Sequence, residues 1–190
     1  MEQRALETLK QMLTARGYKA EKFELVGSPM DETKMYTFDG LLIIFSLKAR
    51  VTEKELQNFI EFSTENSYSA GVLVVSLSKP SETVLTSLRS YIDNRENPLL
   101  QIFEIRHLQF DISKHRKVPT HRIITDEEKA VIMKEFHIKE LTMLPKIDSQ
   151  DAMARWIGAR PGDVIEVVGM CETSAENRRY RYCVADVTLS

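Results

Sequence analysis

The 190-residue chain carries a net charge of −2, and 43% of its residues are hydrophobic and 28% charged. That balance excludes a disordered or fibrous protein. The near-zero charge also excludes the strong positive field of a protein that grips DNA unaided. The length suffices for one sizeable core or two modest ones.

The predicted elements fall into two groups. Ala5, Leu6, Leu9, Met12 and Leu13 recur at helical spacing, and Gly17 can end that helix. Residues 1–16 therefore read as a charged amphipathic helix, with no signal peptide expected. A loop around Gly27, Ser28 and Pro29 follows, flanked by weak strand signals. "LLIIFSL" at 41–47 is a buried strand, and its apolar run from Leu41 to Phe45 is too short to span a membrane. "TEKE" at 52–55 is a capping box opening a helix with Leu56, Phe59, Ile60 and Ser63 on one face. "GVLVVSL" at 71–77 is a second buried strand. Pro80 sits at the expected start of the next helix, where its missing amide costs nothing. Val84, Leu85, Leu88 and Ile92 form that helix's apolar face. "LLQIFEI" at 99–105 is a third strand. This alternation predicts an α/β domain over 1–112 with a three- or four-stranded, partly parallel sheet flanked by helices.

The second group differs in pattern. "SKHRKVPTHRI" at 113–123 has no acidic residue and no helical period, so 113–124 reads as a linker or incoming strand. "TDEE" at 125–128 is a second capping box, for a helix through about Phe136. "MLPKI" at 143–147 breaks that run, and a short helix over about 149–157 stops at Gly158. "RPGD" is a turn before the strand "VIEVVGM". "RRYRYCVADV" is its expected antiparallel partner, with "SAEN" at 174–177 as the turn. Residues 125–190 thus read as a small α+β domain.

Little in the sequence suggests catalysis. "PMDETK" at 29–34 resembles the Pro-Asp…Glu-x-Lys pattern of metal-dependent nucleases, which need two carboxylates for Mg²⁺ and a lysine near the attacking water. That lysine normally lies on a core strand, whereas Glu32 and Lys34 are read here as part of a polar loop. Cys171 and Cys183 lack the close spacing of a zinc pair, and the histidines are scattered, so no metal or cofactor is expected. Two cysteines so placed fit a reducing compartment rather than a disulfide scaffold. No nucleophile elbow or phosphate-binding glycine loop is present. In "CETSAENRRYRYCV" (171–184), alternation sends Tyr180, Tyr182 and Val184 to one strand face and Arg179, Arg181 and Cys183 to the other. A half-buried strand with a solvated arginine face is one reading. Base stacking is another, but a nucleotide would not meet Tyr and Arg together. A protein partner fits better, because Arg and Tyr are enriched at hot spots.

Four motifs in order, "VPTHR" (118–122), "LPKI" (144–147), "GARPGDVIEVV" (158–168) and "CETSAENRRYRYCV", resemble the C-terminal signature of the fifth common subunit of eukaryotic nuclear RNA polymerases. The archaeal polymerase counterpart consists of this module alone. The N-terminal half is similar in architecture to the eukaryotic type's jaw domain, and "LSKPSE" at 77–82 resembles its "ITPSA" loop. Cys171 stands where the family has serine, Ala175 where it has the turn glycine, and Glu176 where arginine is usual. Such divergence suits a distant eukaryote or a virus-encoded polymerase.

The resemblance implies a nuclease-like α/β jaw domain at 1–112 and an assembly domain at 125–190. It implies a non-catalytic subunit of DNA-dependent RNA polymerase that docks on the largest subunit, present in a single copy, with no membrane partner. The lower jaw would lie near downstream DNA, touched weakly and without sequence preference through Lys79, Pro80 and Ser81. Docking is assigned to Pro119, His121, Leu144, Pro145, Arg160, Gly162, Glu172, Thr173, Ser174, Tyr180 and Arg181. The location would be the nucleus for a cellular protein, and host cytoplasm or virion for a viral one. A metal-dependent nuclease with an appended binding domain and a polymerase-associated adaptor are the alternatives.

Overall fold

A computed structural model describes residues 1–170 and 176–187. The chain divides into two units, Met1–Asp111 and Ile112–Ser190.

In the first unit, α1 (Glu2–Ala15) buries Ala5, Leu9, Met12 and Leu13, and the chain reverses through Gly17 at φ 94°. Five strands follow: β1 (Glu24–Val26), β2 (Thr33–Phe38), β3 (Leu41–Ser46), β4 (Gly71–Ser76) and β5 (Leu100–Glu104). They lie side by side in chain order. β1, β2 and β3 pair antiparallel, while β3, β4 and β5 pair parallel. Parallel neighbours need crossovers, supplied by α2 (Glu53–Glu65) and α3 (Glu82–Asp93). Both helices cover one face: Leu56, Phe59, Val84, Leu88 and Ile92 pack on Leu42, Ile44, Val72, Val74, Leu100 and Ile102. α1 serves the other face, where Glu2 accepts from Lys34 and Tyr36 and Arg16 donates to Gln101.

The sheet exceeds the predicted three or four strands because β1, at the edge, and β2 beside it bury few residues. Leu25, for example, stays 73% exposed. Lys34 correspondingly lies in β2 rather than in a polar loop, and its ammonium pairs with Glu2 at 2.8 Å. Glu32 remains just outside the strand at φ 56°. The Thr52–Glu55 capping box forms as expected. Pro80 falls two places earlier than expected, just before the N-cap: Ser81 caps α3, and its hydroxyl accepts from the Val84 amide.

The second unit holds β6 (Thr120–Ile123), α4 (Asp126–Glu135), β7 (Lys146–Asp148), α5 (Ala152–Ile157), β8 (Val164–Gly169) and β9 (Asn177–Val184). The sheet order is β6-β8-β9-β7, with β7 parallel to β9 and the other pairs antiparallel. Thr125 and Glu128 form the second capping box. α5 starts at Ala152, capped by Asp151, and ends at Gly158 at φ 75°. Its start lies inside the predicted span because β7 (Lys146–Asp148), partly read as a break, is followed by a turn over 149–151. Asn177, assigned to the turn, already pairs with Gly169; Ser174 and Ala175 lie outside the described residues.

Gly71 opens β4 at φ 120°, and a Cβ there would stand 2.3 Å from the Leu99 carbonyl oxygen. Gly71→Ala combines backbone strain with a clash against backbone. We expect a loss of about 3 kcal/mol in the first unit, read by urea unfolding followed in the far-ultraviolet.

Candidate partner-binding site

β9 is held on both faces. Tyr180 and Tyr182 pack on Ile124, Ile132, Leu144 and Val164. Cys183, fully buried, packs on the opposite face with Ile147, Ala154, Ala159, Ile165 and Val167. The arginine-bearing face is therefore not simply solvated. At its Cys183 end it closes a small core.

On the tyrosine face lies a buried carboxylate. Glu166 interrupts the apolar run of β8 and is 3% exposed. It sits opposite Tyr180 in the register. Its Oε2 accepts from Arg122 Nε at 2.6 Å and its Oε1 from the Tyr180 hydroxyl at 3.1 Å. Arg178 approaches at 3.8 Å. A carboxylate this deep is tolerated only with such partners. Arg122 also forks onto Glu128, at 2.9 and 2.7 Å. Glu128 in turn accepts from the Thr125 amide at 2.8 Å, as the capping residue of α4. One hydrogen-bonded chain thus ties β6, α4, β8 and β9.

The electrostatics follow from these contacts. Glu128 is drawn down to about 2, first by Arg122 and then by the Thr125 amide. Arg122 is held above its ordinary value by Glu128 first and Glu166 second. Burial first, and then the bond to Glu166, pushes the Tyr180 phenol up.

Beside this network opens a groove of about 300 Å³. Phe136, Leu144, Pro145 and Tyr180 give it apolar walls, and Arg178, Arg179 and Arg181 supply the charge. The Phe136 and Tyr180 rings lie 5.8 Å apart. Phe136 is 48% exposed although it ends α4.

Four of the sequence-predicted docking residues meet here: Leu144, Pro145, Tyr180 and Arg181. Leu144 is also core, at 8% exposure. Pro119 and His121 belong to β6 and its approach, at the opposite edge of the sheet. The His121 Nδ1 donates to the Pro119 carbonyl at 2.8 Å. Arg160 and Gly162 build the turn before β8: the Arg160 amide donates to Asp163 at 2.8 Å, and Gly162 adopts φ 91°. Gly162 serves that turn through its backbone, donating to the Cys183 carbonyl at 2.9 Å. Glu172, Thr173 and Ser174 lie outside the described residues, as does Cys171. Lys79, Pro80 and Ser81 belong to the first unit, at the mouth of α3.

Sequence reasoning missed Glu166, Arg122 and Phe136. A signal for Glu166 was present, namely a lone acid inside "VIEVV" facing a strand with a single arginine. Among the described residues, no three His, Cys, Asp or Glu side chains gather as metal ligands.

The network has a pH signature. Glu128 sits near 2 when folded and near 4.5 when free. A depressed carboxylate stabilises above the free value and loses that contribution as pH falls through the folded one. Trp156, the chain's one tryptophan, is buried in the second unit. Urea titrations read by its fluorescence should show stability falling as pH drops from about 4.5 towards 2. Arg122→Gln should flatten that slope.

Residues 110–183 match the family described as RNA polymerase Rpb5, C-terminal domain. The chain is 28% identical over 148 residues to subunit RPABC1 of DNA-directed RNA polymerases I, II, and III of Caenorhabditis elegans, covering 77% of this chain and 67% of the relative. The Dictyostelium discoideum subunit of the same name is 25% identical over 146 residues, covering 77% of this chain and 73% of the relative. DNA-directed RNA polymerase subunit Rpo5 of Thermococcus onnurineus is 38% identical over 78 residues, or 41% of this chain and 94% of the relative. The residues of the deep carboxylate and of the groove fall within the matched stretch, and the chain belongs to the family of fifth subunits of DNA-directed RNA polymerases.

Proposed function

We propose that the chain is a non-catalytic subunit of a multisubunit DNA-dependent RNA polymerase, docked on the largest subunit through its C-terminal unit. The observation that carries this reading is the family match over 110–183, which falls on the unit that holds the groove. Apolar walls edged by arginine and tyrosine suit a protein partner, since those residues dominate interface energetics. Nucleotidyl transfer then belongs to other subunits.

The α/β N-terminal unit is proposed to have a nuclease-like architecture and to form part of the lower jaw near downstream DNA. A jaw must let DNA slide, and tight phosphate binding would oppose that. The near-neutral charge agrees. At the mouth of α3, Lys79 is exposed, but the Ser81 hydroxyl already accepts from an amide and Glu82 occupies the first turn. Such a site favours at most weak, non-specific contact with a phosphate. The chain acts in single copy, in the nucleus where the polymerase is cellular and in host cytoplasm or virion where it is viral.

The test is purification through a tag on the full chain from its native source. The unaltered chain is expected to recover the catalytic subunits in stoichiometric amount. Tyr180→Ala with Arg181→Ala should lose them while the first unit stays folded. Recovery unaffected by the double change would make the segment purely structural.

A further inference from the structure

β9 carries an open edge beside the groove. Its backbone groups alternate in direction along the strand. The Cys183 amide donates to Asp163 at 2.8 Å and its carbonyl accepts from Gly162 at 2.9 Å, so odd-numbered residues face the β8 side. The Tyr182 amide donates to the Pro145 carbonyl at 2.9 Å, so even-numbered residues face the β7 side. β7 pairs only with Tyr182, Cys183 and Val184. One step further along the ladder, the Tyr180 carbonyl would need an amide from residue 145, and proline has none. The ladder therefore stops at Pro145. Among the described residues, no backbone hydrogen bond engages Arg178 or Tyr180 on this edge.

The side chains beside that edge are not neutral. Arg179 and Arg181 share one face, two residues apart, and Arg181 keeps donors beyond its bond to the Lys146 carbonyl. Tyr180, Leu144 and Phe136 make the other side apolar. Charged residues on an edge ordinarily deter pairing with a second, equally charged copy. They do not deter a strand of opposite charge.

We propose that the Arg178–Arg181 edge of β9 receives an extended segment of a partner protein as a fifth strand of the sheet. That segment carries carboxylates at alternate positions over Arg179 and Arg181 and apolar side chains between them, over Tyr180 and Phe136. Backbone pairing supplies affinity, and the alternate side chains supply selectivity. The proposal rests on the reading that this surface docks on the polymerase, and specifies how.

The test removes one backbone amide and no side chain. Residues 1–170, prepared as a thioester, are ligated through Cys171 to a synthetic 171–190 segment in which an ester replaces the Tyr180 amide. The full chain is checked for folding by circular dichroism and Trp156 fluorescence, and its binding to purified polymerase lacking this subunit is measured. Where the Tyr180 ester does not fold, the Arg178 ester, on the same edge, takes its place. The ester chain is expected to bind about tenfold more weakly than the amide chain. Arg179→Glu should weaken binding and flatten its salt dependence. Equal binding by ester and amide, with the Tyr180→Ala and Arg181→Ala double variant still released, would overturn strand addition and leave docking intact. If neither change mattered, docking at this surface would fail as well. An unchanged salt dependence for Arg179→Glu would remove the acidic partner. Self-association of the amide chain, abolished by the ester, would make the occupant a second copy and overturn the proposal.

Discussion

The architecture of the second unit turns on one buried carboxylate. Glu166 lies among apolar neighbours on β8, where an unpaired charge would be strongly destabilising. It is satisfied by Arg122 from β6 and by the Tyr180 hydroxyl from β9. Those partners fix the two strands that flank β8. Arg122 extends the hold to α4 through Glu128, and α4 ends at Phe136. The groove exists because these elements are locked: Phe136 faces Tyr180, and Tyr180 is oriented by its bond to Glu166.

Pro145 supplies the second constraint. Its carbonyl begins the β7–β9 ladder by accepting from Tyr182, and its missing amide prevents that ladder from continuing. The short Leu-Pro motif thus does two things. It seats Leu144 in the core, and among the described residues it leaves the arginine-bearing half of β9 without a strand on one side. The Gly162 turn secures the same strand from the β8 side through the Cys183 carbonyl. A well-anchored strand with an open edge is the arrangement that a docking surface needs.

Much of this is legible in residue patterns. Both capping boxes form, since a Thr and a Glu three apart satisfy each other's amides whatever the tertiary context. The buried strands at 41–47, 71–77 and 99–105 are evident because both faces are covered and the run is continuously apolar. β1, β2 and β7 give weaker signals because each buries few residues: β1 and β7 are three-residue edge strands, and β2 is covered only in part. The alternation in β9 is only half legible. Its tyrosines share a face, but Cys183 closes a second core on the arginine side, which a strand pattern alone does not reveal. The network around Glu166 joins residues 122, 128, 166 and 180, too far apart in sequence for spacing to connect them. Leu144, Pro145, Tyr180 and Arg181 stand out by resemblance, and the fold gathers them. Pro119, His121, Arg160 and Gly162 carry the same mark, but they build the sheet's other edge and a turn.

Hydrogen exchange measured residue by residue, on the free chain and on the chain within assembled polymerase, tests the central claim most directly. Open-edge amides exchange readily, and amides paired with a partner strand are protected. The account predicts that the Arg178 and Tyr180 amides exchange quickly in the free chain and slow at least about tenfold on assembly. The Arg179 and Arg181 amides, which face β8, should be protected in both. Fast exchange at Arg178 and Tyr180 within the assembled enzyme would contradict it.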